Sequence, residues 1–423
     1  MNKFKETKGI TLIALVITII VLLILAGVSI AMLTGENGIL NQANKAKTET
    51  EYKGAEEKVK LAIMGSRADD GQMTVEELER EIEYQGGTLT GDAFPVEVTV
   101  DGHTFTVDNT GSVQKPIEND TLGTVTGTET TNTTVKDKLG NEVKVPAGFK
   151  VVNPTETVPD GIIIEDVDEK RATVGSQFVW IPVGTVKKAD GQTETITLSR
   201  YTFDENGQET EQGDKAISSG SYNYQELATS DKGNTTAKNL EEFKTKASKG
   251  YYIGRYEARD KTTTTARTSS TNDTNRLVCT ADNYVYNYVT QPQAAELSKN
   301  MYSDSNFESD LINSYAWDTA ITFLQKFDNR TDKIKPYSRQ NSLNTSLATQ
   351  GTNKLSIQDK ICNIYDMASN TYEWTTEASS YANNACVIRG GGYDYSRFCT
   401  NDRRTDNTSY GYAYSAFRPL LYL

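Results

Sequence analysis

The chain has 423 residues, enough for two or three domains with a sizeable core. Its formal charge of −13 and pI near 4.9 argue against nucleic acid as a partner, because phosphate binding needs clustered Lys and Arg. Thr, Asn, Ser and Tyr are abundant and mean hydropathy is −0.55, a composition common in exported proteins and equally that of a soluble polar surface.

Three lysines in Met1–Lys8 precede a nearly unbroken apolar run, Ile10–Leu33. At about 1.5 Å per residue this run is long enough to cross a bilayer, and the basic residues before it predict a cytoplasmic N-terminus with everything downstream outside. The junction Lys8-Gly9-Ile10-Thr-Leu-Ile13 resembles the type IV prepilin cleavage motif. That resemblance implies a prepilin peptidase as partner, a 1–9 leader, and cleavage between Gly9 and Ile10. Where such pilins carry Glu at the fifth mature position this chain has Ala14, which speaks against self-polymerisation as a major subunit. An uncleaved anchor and a signal peptide cut after Ala31 are the competing readings.

Beyond Gly38 helical spacing resumes. Tyr52, Ala55, Val59 and Ala62 recur at three- and four-residue intervals, with Glu49, Lys53, Glu56 and Lys60 among the polar positions. Thr74 to Tyr84 predicts a second helix, with a Thr74/Glu77 capping box and a staple between Met73 and Leu78. Val96–Val100 and Thr104–Val107 alternate as strands around Asp101-Gly102, a strong hairpin signal. Residues 10–108 therefore read as a pilin-like helix with a small antiparallel β head. His103, with no second His and no nearby Cys, reads as a turn residue rather than a ligand. From 109 to 144 the composition shifts to Thr, Gly, Asn and Asp, and reads as a linker.

In the remainder, 145–423, Asn239 to Ser248 reads as a short helix, and Ser314 as the N-cap of a helix carrying Trp317, Ala320, Ile321, Leu324 and Phe327. Trp180, Trp317 and Trp374 read as core. Cys279, Cys362, Cys386 and Cys399 lack Cys-x-x-Cys spacing, which disfavours zinc. One or two disulfides and four free thiols both remain open. Gln291-Pro-Gln293 resembles the carbohydrate signature of calcium-dependent lectins without matching it, and no Trp-Asn-Asp follows.

The C-terminal sixty residues carry the functional reading. Tyr365, Asp366, Met367, Ala368, Asn370, Glu373, Trp374, Arg389, Gly390, Gly391, Phe417 and Arg418 follow in order the pattern of the formylglycine-generating-enzyme (sulfatase-modifying factor) family, which they resemble. The resemblance implies a C-type lectin fold variant over 145–423, and for the whole chain an α+β class: a pilin-type N-terminal helix with its β head, then the lectin-type domain. Members that catalyse use two cysteines to bind copper as thiolates. Here Tyr395 stands where the first would fall and only Cys399 lies near the second, so neither catalysis, a cofactor nor a metal is expected.

The same Arg-Gly-Gly to Phe-Arg frame is similar to that of the lectin-fold variable proteins diversified by retroelements. Between its two ends the run from Gly392 to Ala416 holds no Leu, Ile or Val, and is dominated by Tyr, Ser, Gly, Asn and Asp. Such a run reads as surface rather than core, with the composition of antibody paratopes. An ordinary solvated loop is the plain alternative. The expected ligand-binding residues are Gly392, Tyr393, Asp394, Tyr395, Arg397, Phe398, Asn401, Asp402, Tyr410, Tyr412 and Tyr414. The expected function is a cell-surface or pilus-displayed adhesin that binds an external protein or glycan, associates with the membrane through Ile10–Leu33 and possesses other pilin subunits as candidate partners. A structural minor pilin and an exported oxidase are the alternatives.

Overall fold

The computed structural model describes residues 39–67, 72–114, 122–262, 267–269, 273–304, 306–331, 333, 335–341, 359–393 and 397–423. The chain divides into two compact units, Met1–Glu118 and Asn119–Leu423. It is an α+β protein with few helices and mostly antiparallel sheets. Among the described residues no helix is long and apolar enough to cross a membrane. The expected processing site Gly9/Ile10 and the apolar run Ile10–Leu33 lie outside the described residues.

In the first unit, helix α1 (Ile39–Ser66) and helix α2 (Val75–Tyr84) pack on a four-stranded sheet in chain order, β1 (Thr88–Thr90), β2 (Val96–Val100), β3 (His103–Val107) and β4 (Val113–Gln114). The helical spacing read from the sequence is the buried stripe: Ala55, Val59 and Ala62 are inaccessible and meet Val98, Val100, Phe105 and Val107. Tyr52 closes that stripe against Phe105, with ring centroids 5.2 Å apart. The Thr74 side chain accepts from the Glu77 N–H at 3.2 Å while Glu77 accepts from the Thr74 N–H, so the capping box forms. Asp101 and Gly102 both take positive φ, 50° and 80°, which is the turn a two-residue hairpin needs. His103 lies against Tyr52 at 5.6 Å, and no group of metal-ligating side chains occurs among the described residues.

The second unit is built on two six-stranded sheets. Their strands are, in chain order, β5 (Phe149–Val151), β6 (Ile163–Asp166), β7 (Gln177–Pro182), β8 (Ile217–Ser219), β9 (Tyr222–Gln225), β10 (Gly250–Gly254), β11 (Glu308–Leu311), β12 (Tyr372–Ser379), β13 (Cys386–Arg389), β14 (Arg403–Asp406), β15 (Ser415–Phe417) and β16 (Pro419–Tyr422). The first sheet runs β11-β16-β10-β7-β6-β5. The second runs β8-β9-β12-β13-β14, with β15 pairing β12 in parallel. Among the described residues the unit also carries three short α-helices, α3 (Leu240–Lys246), α4 (Gln291–Lys299) and α5 (Ser314–Lys326), and several smaller two- and three-stranded sheets.

Helix α5 touches both sheets. The Tyr251 hydroxyl of β10 donates to the Ala316 carbonyl at 2.6 Å, and Arg389 of β13 donates to Asp318 at 2.6 Å. Every residue from Ser314 to Leu324 is buried, so the apolar stripe expected from spacing is part of a helix enclosed all round. Its N-cap is Asn313, whose side chain accepts from the Ala316 N–H at 2.9 Å, and Ser314 is the first helical residue instead. Trp180, Trp317 and Trp374 are all buried.

Two stretches differ from expectation. The Thr-rich segment read as a linker crosses the border between the units, and its second half is ordered: Thr133–Lys136 pairs with Glu142–Val145, burying Val135, Val143 and Val145. Gln291-Pro-Gln293 is the first turn of α4, capped by Thr290. The buried Gln291 side chain donates to the Thr235 and Thr375 carbonyls, so its role is to tie chain segments together.

Candidate functional site

The residues that resemble the family frame contribute to two buried clusters, of which the first centres on Arg418. Arg418 donates to both oxygens of Glu373, at 2.6 and 3.0 Å, and to the carbonyls of Gly254 and Tyr365 at 2.7 and 2.9 Å. Beside it, Glu257 accepts from the Thr371 N–H at 3.0 Å, from the Thr371 hydroxyl at 2.5 Å and from the Asn370 amide. Every side chain in this set is buried. Gly390 sits at φ 77°, and a Cβ there would lie 2.5 Å from the Met367 carbonyl oxygen, which leaves the position to glycine.

A second buried cluster lies under the Tyr-rich run. Asp318 of α5 and Glu377 of β12 are shared by Arg200, Arg389 of β13 and Arg403 of β14. Arg200 donates to Glu377 at 2.6 Å and Arg403 donates to Glu377 at 2.9 Å and to Asp318 at 2.5 Å. Burial alone would raise the Glu377 carboxyl, but Arg403, Arg200 and Arg389 together hold it at about 2. Glu226, equally buried beside it, is pushed the other way, to about 6, by burial and by the Glu377 charge. Arg389 also grips the chain above it, donating to the carbonyls of Asp402 and Asn401 at 2.9 and 3.3 Å. The Trp317 indole donates to the Thr400 carbonyl at 3.0 Å. Together these bonds pin the stretch 400–402.

On this base stands a series of aromatic rings. Tyr412 and Tyr414 are stacked at 4.8 Å with 21° between their planes, and Tyr410 leans on Tyr412 at 5.3 Å. Tyr414 meets the buried Tyr372 edge-on at 6.0 Å, and Tyr372 meets Phe398 at the same distance. The Arg404 guanidinium lies 5.2 Å from the rings of both Tyr372 and Phe398, a cation–π arrangement. The backbone under the tyrosines is held by the Tyr288 N–H donating to the Tyr412 carbonyl at 3.0 Å and the Asn287 amide donating to Ala413 at 2.6 Å. Trp374 supports that neighbour, its indole donating to Val289 at 2.9 Å. Burial and the nearby Asp406 charge raise the Tyr412 phenol above its ordinary value, so it stays a neutral donor and acceptor at physiological pH.

The expected site residues differ in exposure and in what holds them. Tyr410 is 45 % exposed, Arg397 is exposed, and Tyr393, Tyr412 and Tyr414 are half-buried. Phe398 is half-buried and packs on the core together with Tyr414. Gly392 is buried, and the half-buried Asp402 accepts from the Cys399 N–H at 2.8 Å through its carboxylate. Asn401 is half-buried, its backbone bonded to Ser338 and Arg389. Asp394 and Tyr395 lie outside the described residues.

The reading of the whole run as surface also needs correction. Arg403, Thr400, Asp406 and Ser415 bury their side chains, because a charged interior can accept Arg and Asp where an apolar one takes Leu. Sequence reasoning missed Arg404, Tyr372, Asp318 and Glu377. The Arg403-Arg404 pair inside a Tyr-rich run was the available signal, since on a strand one of two neighbours points in and the other out. All four cysteines are free thiols, and burial raises Cys279 and Cys386 to about 12. Cys399 is raised by burial and by the Asp402 charge.

Comparison with solved structures finds Treponema denticola variable protein 1, which matches 59% of this chain and 97% of its own at 9% identity with a TM-score of 0.32. PvdO from Pseudomonas aeruginosa matches 59% of this chain and 95% of its own at 13% identity with a TM-score of 0.29. No protein-family model and no curated protein matches the sequence.

Proposed function

We propose that the second unit is a lectin-type binding module of a surface adhesin, and that Tyr410, Tyr412 and Tyr414, with Phe398, Arg397 and Arg404, form its recognition face. The observation that carries the reading is the stacked tyrosine series: three rings, from half-buried to exposed, on backbone that is bonded to a buried frame. Tyrosine supplies large contact area at low rotamer cost, and rings already stacked have little freedom left to lose on binding. Arg397 and Arg404 add positive charge beside the rings, which favours a ligand with acidic or electron-rich groups. The apolar segment Ile10–Leu33 would hold the module at the membrane or in a pilus, and contact with an external protein or glycan would be non-covalent.

The test is a screen of full-length protein against protein and glycan arrays, followed by titration of each hit with the Tyr410→Ala/Tyr412→Ala double variant. Hits whose affinity falls at least tenfold support the face. Binding that the double variant leaves unchanged removes it from the tyrosines.

A further inference from the structure

A cleft of about 340 Å³ opens in the second unit. One wall is the hairpin Thr133–Lys136/Glu142–Val145, where Thr134 and Lys144 are cross-strand partners, and the opposite wall is the strand Gly184–Lys187. Asn141 joins the walls, its amide donating to the Lys187 carbonyl at 3.1 Å and its oxygen accepting from the Lys187 N–H at 2.7 Å. Trp180 of β7 and Lys249 complete the lining. The Tyr252 hydroxyl donates to the Lys144 carbonyl at 3.1 Å, which fixes the hairpin to the first sheet.

One feature of this lining stands out. Lys144, Lys187 and Lys249 have no carboxylate within ion-pair distance among the described residues, although the chain as a whole carries a charge of −13. Glu142, the acid on the same wall, faces Lys136 at 3.6 Å. The Trp180 side chain is 98 % removed from solvent, yet its Nε1–H is buried with no acceptor among the described residues. The enclosed indole N–H lies out of a ligand's reach, but the three ammonium groups have no fixed carboxylate partner and remain open to one. The threonine hydroxyls of 134 and 185 add adaptable partners at the rim.

We propose that this cleft binds a small molecule bearing an oxyanion, a carboxylate, phosphate or sulfate, with its charge among Lys144, Lys187 and Lys249 and its body beside the Trp180 ring. The volume suits a ligand of modest size, and charge-assisted bonds from ammonium groups are the stronger class of hydrogen bond. The site uses none of the residues of the tyrosine face, so it stands or falls independently of that face.

Isothermal titration of the full chain with sodium phosphate, sodium sulfate and sodium citrate at fixed low ionic strength tests the assignment. At least one probe should bind and alter tryptophan emission, and the ranking of the three identifies the oxyanion class. Lys187→Ala/Lys249→Ala, both exposed positions, should weaken that binding about tenfold or more, and Trp180→Phe should abolish the emission change while Lys170→Ala leaves binding as it was. No binding by any of the three probes, or binding by the double variant equal to that of the original chain, would overturn the proposal.

Discussion

Tyr372 and Tyr410 belong to one chain of touching rings, and their surroundings could hardly differ more. Tyr372 is 1 % exposed, on a strand between a parallel and an antiparallel neighbour, while Tyr410 is 45 % exposed on a loop. Below, the frame is fixed by bonds that end on buried charge or on carbonyls: Arg418 on Glu373, Arg389 on Asp318, Trp374 on Val289. Above, the rings lean on one another and on backbone. The difference teaches that polarity does not separate inside from outside in this unit, because its interior is itself rich in Arg, Asp, Glu and Thr. What separates them is that the charged groups below are held in buried ion pairs, whereas the rings above are held by contact with one another.

That contrast can be broken most directly at Trp374. Trp374→Ala removes a fully buried indole and its bond to Val289, and should cost about 3–5 kcal/mol in equilibrium denaturation. A loss below about 1 kcal/mol would mean that the frame is not a packed core.

Next in size is the buried charge cluster. Glu377→Gln leaves three arginines to one acid and should cost about 3 kcal/mol at pH 7, as removal of one partner from a buried pair does. The sign with pH follows from the lowered carboxyl. Glu377 sits at about 2 when folded against an ordinary 4.5, so its contribution is full above pH 4.5 and drains away as pH falls toward 2. Denaturation curves at pH 7, 4.5 and 2.5 should therefore show a steeper loss for the original chain than for Glu377→Gln. Parallel pH profiles would show that the cluster contributes nothing to stability.

Gly390→Ala sharpens the comparison at intermediate cost. A Cβ placed 2.5 Å from the Met367 carbonyl at φ 77° should lower stability by roughly 1–3 kcal/mol, measured as a shift in denaturant midpoint. Smallest of all are Tyr410→Ala and Tyr412→Ala, which should change stability by no more than about 0.5 kcal/mol. Each should weaken binding to an array-identified ligand by on the order of 2 kcal/mol if it is a hot spot. Midpoint losses as large as that of Trp374→Ala would place these rings in the core and remove the face.

Legibility in the sequence followed distance along the chain. The capping box of Thr74 and Glu77, the Asp101-Gly102 turn and the stripe Ala55, Val59, Ala62 depend on neighbours a few residues away, and each stands where spacing put it. Asn313 rather than Ser314 caps α5, a one-residue displacement between two residues that both cap well. The frame residues were visible through resemblance, but their charge partners were not. Asp318 meets Arg389 71 positions later and Arg200 meets Glu377 177 positions later, distances over which no local pattern extends. Asp402 belongs to the expected face through the frame resemblance and the composition of the run, and neither reports that its carboxylate already accepts from the Cys399 N–H.

The order in which the strands of the second unit join has a bearing on how much change its tyrosine loop can absorb. The loop that carries Tyr410, Tyr412 and Tyr414 leads straight into β15, which completes the second sheet beside β12, and then through Arg418 into β16, which fills the slot between β10 and β11 in the first. Both sheets therefore wait for the same short segment, and until it docks β10 and β11 present unpaired edges, the state in which chains aggregate. Any substitution in the loop is thus met first by folding. A substitution that lets the two strands close leaves the unit folded, and one that obstructs them removes the whole unit, so the architecture couples freedom at the loop to closure of both sheets.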